Sequence, residues 1–186
     1  DSYLFQLNSY KTNGMKLLTA FLRLVRSVNL LFIVLTQALF HYCIIVPMFS
    51  AHEYSPALPF RYFSLLTFSS VLVAAAGYII NDYFDLNIDR INKPAKMVVE
   101  KLIKRRWAIL WHWLLSFTGI LLGFYVGWKT GAIWLGFANI GCVIALWVYS
   151  TTFKKRLLSG NILISLFTAW VVMVIGFITH YRIVTD

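Results

Sequence analysis

The sequence predicts an all-α fold: a polytopic bundle of about five transmembrane helices with its N-terminus in the cytoplasm. Three observations predict it. Charged residues make up 13% of the 186-residue chain and hydrophobic ones 60%, whereas soluble domains carry about 25% charged residues. Apolar stretches of roughly 20 residues, the length that crosses a bilayer as a helix, recur along the chain. The basic residues gather between those stretches, as topology signals do. The net charge of +10 is therefore assigned to membrane topology and not to nucleic acid.

Residues 1–14 precede the first methionine, Met15, and are read as an extension. From Lys16 to Arg26, Leu, Phe and Val alternate with Lys and Arg at helical spacing, which fits an amphipathic helix lying on the membrane surface. Residues 1–27 thus form an N-terminal unit, and 28–186 the transmembrane domain. Five spans follow, at roughly 28–49, 62–80, 108–128, 132–149 and 162–181. Trp107, Trp111, Trp128, Trp147, Tyr149 and Tyr181 stand near their ends, where an aromatic belt belongs. The third and fourth spans contain glycines and meet at a turn over 128–131, which predicts a closely packed antiparallel hairpin. Of the 17 Lys and Arg residues, all except Arg61, Lys129 and Arg182 fall on the side of the N-terminus. That bias makes the N-terminal side cytoplasmic.

The second span ends in NDYFDLNID, residues 81–89, which hold three of the chain's seven acidic residues. On a helix advancing about 100° per residue, Asp85, Asp89 and Asp82 lie about 40°, 80° and 100° from Asn81, all within roughly a quarter-turn. Four oxygen-bearing side chains on one stripe suit a hard cation such as Mg²⁺. Like charges one turn apart repel, and more strongly near hydrocarbon, so the stripe calls for a counter-ion. A solvated helix end is the plainer alternative. An EF-hand loop is excluded, because Arg90 replaces the turn glycine and Lys96 the bidentate Glu. A CDP-alcohol phosphatidyltransferase is disfavoured by the absence of its DG and AR elements. Beyond the stripe come the helix-stopping Pro94 and a run of basic residues. Cations beside a carboxylate–metal site suit a diphosphate.

NDYFDLNID followed by RINKP resembles the first aspartate-rich motif, NDxxDxxxD, of the UbiA superfamily of intramembrane prenyltransferases. Arg26-Ser27-Val28-Asn29 resembles that family's RPxN element, with Ser27 in place of the proline. Tyr149 to Arg156, YSTTFKKR, resembles its Tyr…Lys element, and the spacing leaves either Lys154 or Lys155 as the family lysine. The resemblance implies a nine-helix fold around a cavity. It also implies Mg²⁺-dependent transfer of a prenyl group from an isoprenyl diphosphate to a lipophilic acceptor: a quinone precursor, another aromatic, or a glycerol-phosphate ether lipid. Of the acceptors, the wording of the first motif is nearest the digeranylgeranylglyceryl phosphate synthase-like branch. By the same implication, Asn81, Asp85 and Asp89 hold the metal with Asp82 in support. Arg26, Asn29, Lys93, Tyr149, Lys154 and Lys155 meet the diphosphate or the allylic cation. Such an enzyme sits in the cytoplasmic membrane of a prokaryote, among membrane lipid.

The family's second aspartate-rich motif has no counterpart here. The remaining acids, Asp1, Glu53, Glu100 and Asp186, are scattered. The chain is therefore expected to be incomplete at its C-terminus, the rest of the fold coming in cis or from another chain. A different class, a small transporter or cation-binding membrane protein, would use the acidic stripe for ion passage. Among neutral and weakly basic candidates, Gln37 and His41 in the first span either face the cavity or bond between helices, and His112 is read as interfacial.

Overall fold

A computed structural model describes residues 17–50, 58–92, 98–100 and 102–185. The chain is helical throughout these segments, apart from short turns. Residues 17–24 form helix α1. Helix α2 runs Ser27–Ser50, α3 Phe60–Asn92, α4 Arg105–Thr130 and α5 Trp134–Thr151. A 3₁₀ turn at Phe153–Lys155 leads into α6, Leu157–Thr185. All five helices from α2 to α6 are long and apolar enough to cross a membrane. The chain is a helical integral membrane protein, and its five spans fall where the hydropathy pattern puts them.

Helix α3 is the axis of the bundle. It buries 61% of its most apolar window, against 17–28% in the other four. The others turn most of their surface outward, including large side chains such as Phe32, Phe117 and Leu166, as lipid-facing helices do. At 33 residues and about 1.5 Å per residue, α3 is roughly 50 Å long, well beyond the ~30 Å of a hydrocarbon core. Its last turns, which carry the acidic stripe, therefore overhang the membrane at the end where the basic residues gather.

Two apolar cores flank the middle of α3. At the basic end, Ala20 and Leu24 of α1 pack with Ala75, Ile79 and Leu86 of α3, Val98, Val99 and Ile103 of the following loop, and Ala108 of α4. Helix α1 thus docks one face on the bundle and leaves Leu17, Leu18 and Leu22 exposed. The loop is pinned by an ion pair between Arg90 and Glu100. At the far end, Ile45, Phe63, Leu66, Val126, Leu135, Ile175 and Ile178 join α2, α3, α4, α5 and α6.

Helix α2 widens into a π-helical turn at Phe40–Ile45, with the Val46 N–H bonding the His41 carbonyl. The cause is Pro47 just beyond it. Proline has no N–H to donate and its ring collides with the carbonyl four residues back, so the regular ladder is interrupted there, and here the preceding turn widens. The α4–α5 hairpin closes at Gly131, whose φ of 78° is a left-handed value that glycine adopts without strain. Helix α4 extends to Thr130, so the turn falls slightly later than its expected place at 128–131.

Candidate functional site

The site forms where α2, α3, α5 and α6 diverge around an apolar cavity of about 420 Å³. Its walls are Phe32 and Ile33 of α2, Val73 and Gly77 of α3, Leu146 of α5, and Phe167 and Trp170 of α6. At the basic end its mouth carries Arg26, Tyr78, Asn81, Tyr149 and Lys154. The cavity is greasy along its length and ionic at one rim.

Each rim residue is placed by local geometry. Arg26 sits at the corner between α1 and α2 with φ 52° and ψ 57°, a left-handed conformation that costs a non-glycine residue about 1–3 kcal/mol. That corner turns its guanidinium back onto α3. There it donates to Asp82 Oδ1 at 2.9 Å and lies 5.0 Å from the centre of the Tyr78 ring. Asp82 is thus the anchor of Arg26. Asn81 and Asp85 lie one turn apart on α3, and the Asn81 amide donates to Asp85 Oδ2 at 3.2 Å.

The 3₁₀ turn after α5 brings Lys154 across to the same pair. Its ammonium donates to Asn81 Oδ1 at 3.0 Å and forms an ion pair with Asp85. Of the two lysines left open by the sequence, Lys154 stands at the rim; the Lys155 side chain and the whole of Lys93 lie outside the described residues. Asp89 lies one turn beyond Asp85, partly buried and away from the cavity lining. Asn29 is exposed and lines a shallow cleft beside Arg23 and Arg26, not the cavity. The sequence-predicted residues therefore come together as Arg26, Asn81, Asp82, Asp85, Tyr149 and Lys154. Asn29 and Asp89 stand outside that group.

The oxygen donors of Asn81 and Asp85 already converge on one cation, the Lys154 ammonium. Hard oxygen ligands converging on a positive charge fit Mg²⁺, which binds through one or two carboxylates and completes its shell with water and phosphate. Among the described residues, no group of three or more His, Cys, Asp and Glu side chains is arranged to hold a metal by itself.

Deeper in the cavity stands a residue that the sequence reading passed over. Asn139 of α5 is buried, and its Nδ2 donates to Ser69 Oγ at 2.8 Å and to the Gly119 carbonyl at 3.0 Å. It clamps α3, α4 and α5 together while lining the cavity. Gly123 makes room for it, since a Cβ there would lie 2.4 Å from Nδ2. The available signal was an uncharged amide in mid-span, costly unless it is bonded. Asn139→Ala is expected to cost about 1–2 kcal/mol, read as a lower unfolding temperature in detergent.

Gln37 bonds between helices, donating to Val171 O of α6 at 2.8 Å and to Ser70 of α3 at 3.2 Å. His41 is buried and stacks on Phe63. His112 is 1% exposed, packed between helices. Its Nδ1 lies 3.0 Å from the Ala76 carbonyl, which can only accept, so Nδ1 carries the proton.

Five apolar helices long enough to span a bilayer, around a cavity with an ionic rim, define a polytopic helical membrane protein. More narrowly, the chain belongs to the UbiA prenyltransferase family, whose sequence profile matches residues 38–185. That match covers every rim residue except Arg26. A digeranylgeranylglyceryl phosphate synthase of Ignicoccus hospitalis is 40% identical over 101 residues, covering 54% of this chain and 32% of the relative. Another, from Methanothermobacter thermautotrophicus, is 37% identical over 108 residues, covering 57% and 37%. A solved structure, from work on "Structural and mechanistic insights into the biosynthesis of Digeranylgeranylglyceryl phosphate synthase in membranes", aligns with TM-score 0.72 at 25% identity. It covers 87% of this chain and 53% of that one. The matches thus span about a third of those curated relatives and about half of the solved chain.

Proposed function

We propose that the chain is the N-terminal part of a Mg²⁺-dependent prenyltransferase that alkylates a glycerol-phosphate ether lipid in the cytoplasmic membrane of a prokaryote. In this reading residues up to 27 lie at the interface, and the remaining helices of the fold follow in cis or come from another chain. The supporting observation is the cavity: an apolar sleeve for an isoprenoid tail that opens onto Arg26, Asn81 and Lys154, with Asp85 paired to Lys154. The ether-lipid acceptor is favoured because the relatives above are synthases of digeranylgeranylglyceryl phosphate.

Prenyl transfer breaks the bond between the allylic carbon and the diphosphate oxygen, and the electron pair leaves with the diphosphate. Arg26 and Lys154 are positioned to share that charge, while Asp82 and the Tyr78 ring hold Arg26 in place. Asn81 and Asp85 are the residues that would hold Mg²⁺, which when bound would supply further neutralisation of the diphosphate charge. The walls of Phe32, Val73, Leu146 and Phe167 keep water from the allylic cation. The Tyr149 and Tyr78 faces, both on the cavity lining, offer it electron density. The acceptor hydroxyl then forms the new carbon–oxygen bond and releases its proton.

Cation passage finds less support. It calls for acids spread through the bilayer depth, and the described acids, Asp82, Asp85, Asp89 and Glu100, all lie towards the basic end. The deciding experiment incubates the full-length protein with geranylgeranyl diphosphate and geranylgeranylglyceryl phosphate. Diphosphate release that needs both the lipid acceptor and Mg²⁺ is expected. Release with an aromatic acceptor alone would move the reading to another branch of the family, and no release with either would overturn it.

A further inference from the structure

We infer that Lys154 is a built-in counter-ion that occupies the metal-binding pair, so that a divalent cation binds there only after an anion draws the lysine away. The inference rests on the prenyltransferase reading and concerns the order in which the site is filled.

The argument begins with electrostatics. Asp85 and Asn81 touch each other and both touch Lys154, a closed triangle of hydrogen bonds. The Asp85 side chain is 13% exposed and that of Lys154 35%, so the pair is only partly screened by solvent. The Asn81 carbonyl and the Asp85 oxygen that would hold a metal are thus already donated to by an ammonium. A divalent cation on Asn81 Oδ1 and Asp85 Oδ2 would stand about 4 Å from the ammonium, where like charges repel strongly in a partly buried site. A metal that takes those two oxygens therefore displaces Lys154.

The cavity supplies the place to which it moves. Lys154 lies on the rim beside Arg26 and Tyr149, at the open end of the lumen. Arg26 is held by Asp82 and the Tyr78 ring, whereas Lys154 hangs from a three-residue 3₁₀ turn on a flexible stem. A diphosphate at the rim offers the ammonium more negative charge than a single carboxylate. When Lys154 turns to that anion, Asn81 and Asp85 are released to the cation. The two ligands then assist each other, and by linkage the assistance is reciprocal. A site of this kind stays closed to free Mg²⁺ and opens for Mg²⁺ together with a diphosphate.

Mn²⁺ as a paramagnetic stand-in tests this without turnover. The full chain in lipid nanodiscs is titrated with Mn²⁺, the free ion being followed by electron paramagnetic resonance. The titration is repeated with methylenediphosphonate, a non-hydrolysable diphosphate, and corrected against the same anion without protein. In the wild type the diphosphonate is expected to tighten Mn²⁺ binding about tenfold or more, the apparent affinity scaling with the fraction of released pairs. Lys154→Met is expected to bind Mn²⁺ alone more tightly than the wild type binds it alone, and to gain less from the anion than the wild type does, the remaining gain being direct ligation of the metal by the diphosphonate. Lys154→Arg keeps the charge and should keep the anion requirement. Equal Mn²⁺ affinity of wild type and Lys154→Met without anion would overturn the inference, as would identical behaviour of Lys154→Met and Lys154→Arg. Asp85→Asn separates the two levels: unchanged Mn²⁺ binding in that variant would remove the metal from this pair and overturn the site assignment itself.

Discussion

Asp85→Asn is expected to lower Mg²⁺-dependent diphosphate release by the full-length protein by about 10²–10³-fold, the cost of deleting one charge-stabilising group from a reacting centre. The substitution keeps the shape of the side chain and removes only its charge. Asp85 is the carboxylate that touches both Asn81 and Lys154, so an amide there weakens the metal ligand and releases the lysine at once. The folded state should barely notice. The ion pair is partly exposed, and such pairs contribute about 0–1 kcal/mol. Apolar packing of Ile79, Ile80 and Leu86 holds this part of α3 regardless. The measurement is therefore a pair: initial rates of diphosphate release, and the unfolding temperature of the same preparation. A rate within twofold of wild type would show that the stripe does not serve the chemistry. A rate loss matched by a collapse in unfolding temperature would make Asp85 a structural residue.

Gly127→Ala should have the largest effect on stability, lowering it by about 3 kcal/mol or preventing assembly of the hairpin. A Cβ at this position would lie 2.6 Å from the Ala132 carbonyl oxygen and 3.1 Å from the Ile133 Cα. Both obstacles are backbone, and they sit in the turn that joins α4 to α5, so neither can rotate aside. The contrast is Gly77, where the added Cβ would meet only the Leu146 side chain, at 2.9 Å. Gly77→Ala should be markedly milder, because a leucine end can change rotamer. Unfolding in a graded detergent mixture, followed by helical circular dichroism, compares the two. Equal losses would mean that the tightness at Gly127 is absorbed by movement of the whole hairpin.

The spans were legible because lipid imposes one rule on every residue of a helix. Long apolar runs have few alternatives in a membrane, and the basic clusters mark their ends. The contact of Asn81 with Asp85 was legible because four-residue spacing on an uninterrupted helix puts both side chains on one face. Arg26 and Lys154 were visible only through their resemblance to family elements. Nothing in the spacing says that a left-handed corner turns Arg26 back onto Asp82, or that a 3₁₀ turn carries Lys154 across to α3. Asn139 was missed for the opposite reason. It is a single polar residue in an apolar run, and its meaning depends on the neighbouring helix, which local periodicity does not identify. The π-helical turn in α2 follows from Pro47, yet the proline alone does not choose between a kink and a widened turn.

The overhang of α3 has a consequence for how a lipid would reach the rim. Because the last turns of that helix rise past the hydrocarbon, the polar groups of the site stand at headgroup height while the sleeve beneath them runs at acyl-chain depth. Under the proposed function, an amphiphile resident in the bilayer would keep its tail at acyl-chain depth and its head at headgroup height as it binds. Little of its binding free energy then comes from desolvation, which both compartments supply equally. Selectivity is left to the few contacts at the rim, and the local concentration is that of a two-dimensional solvent, so dilution with inert lipid should slow the reaction as effectively as dilution with buffer slows a soluble enzyme.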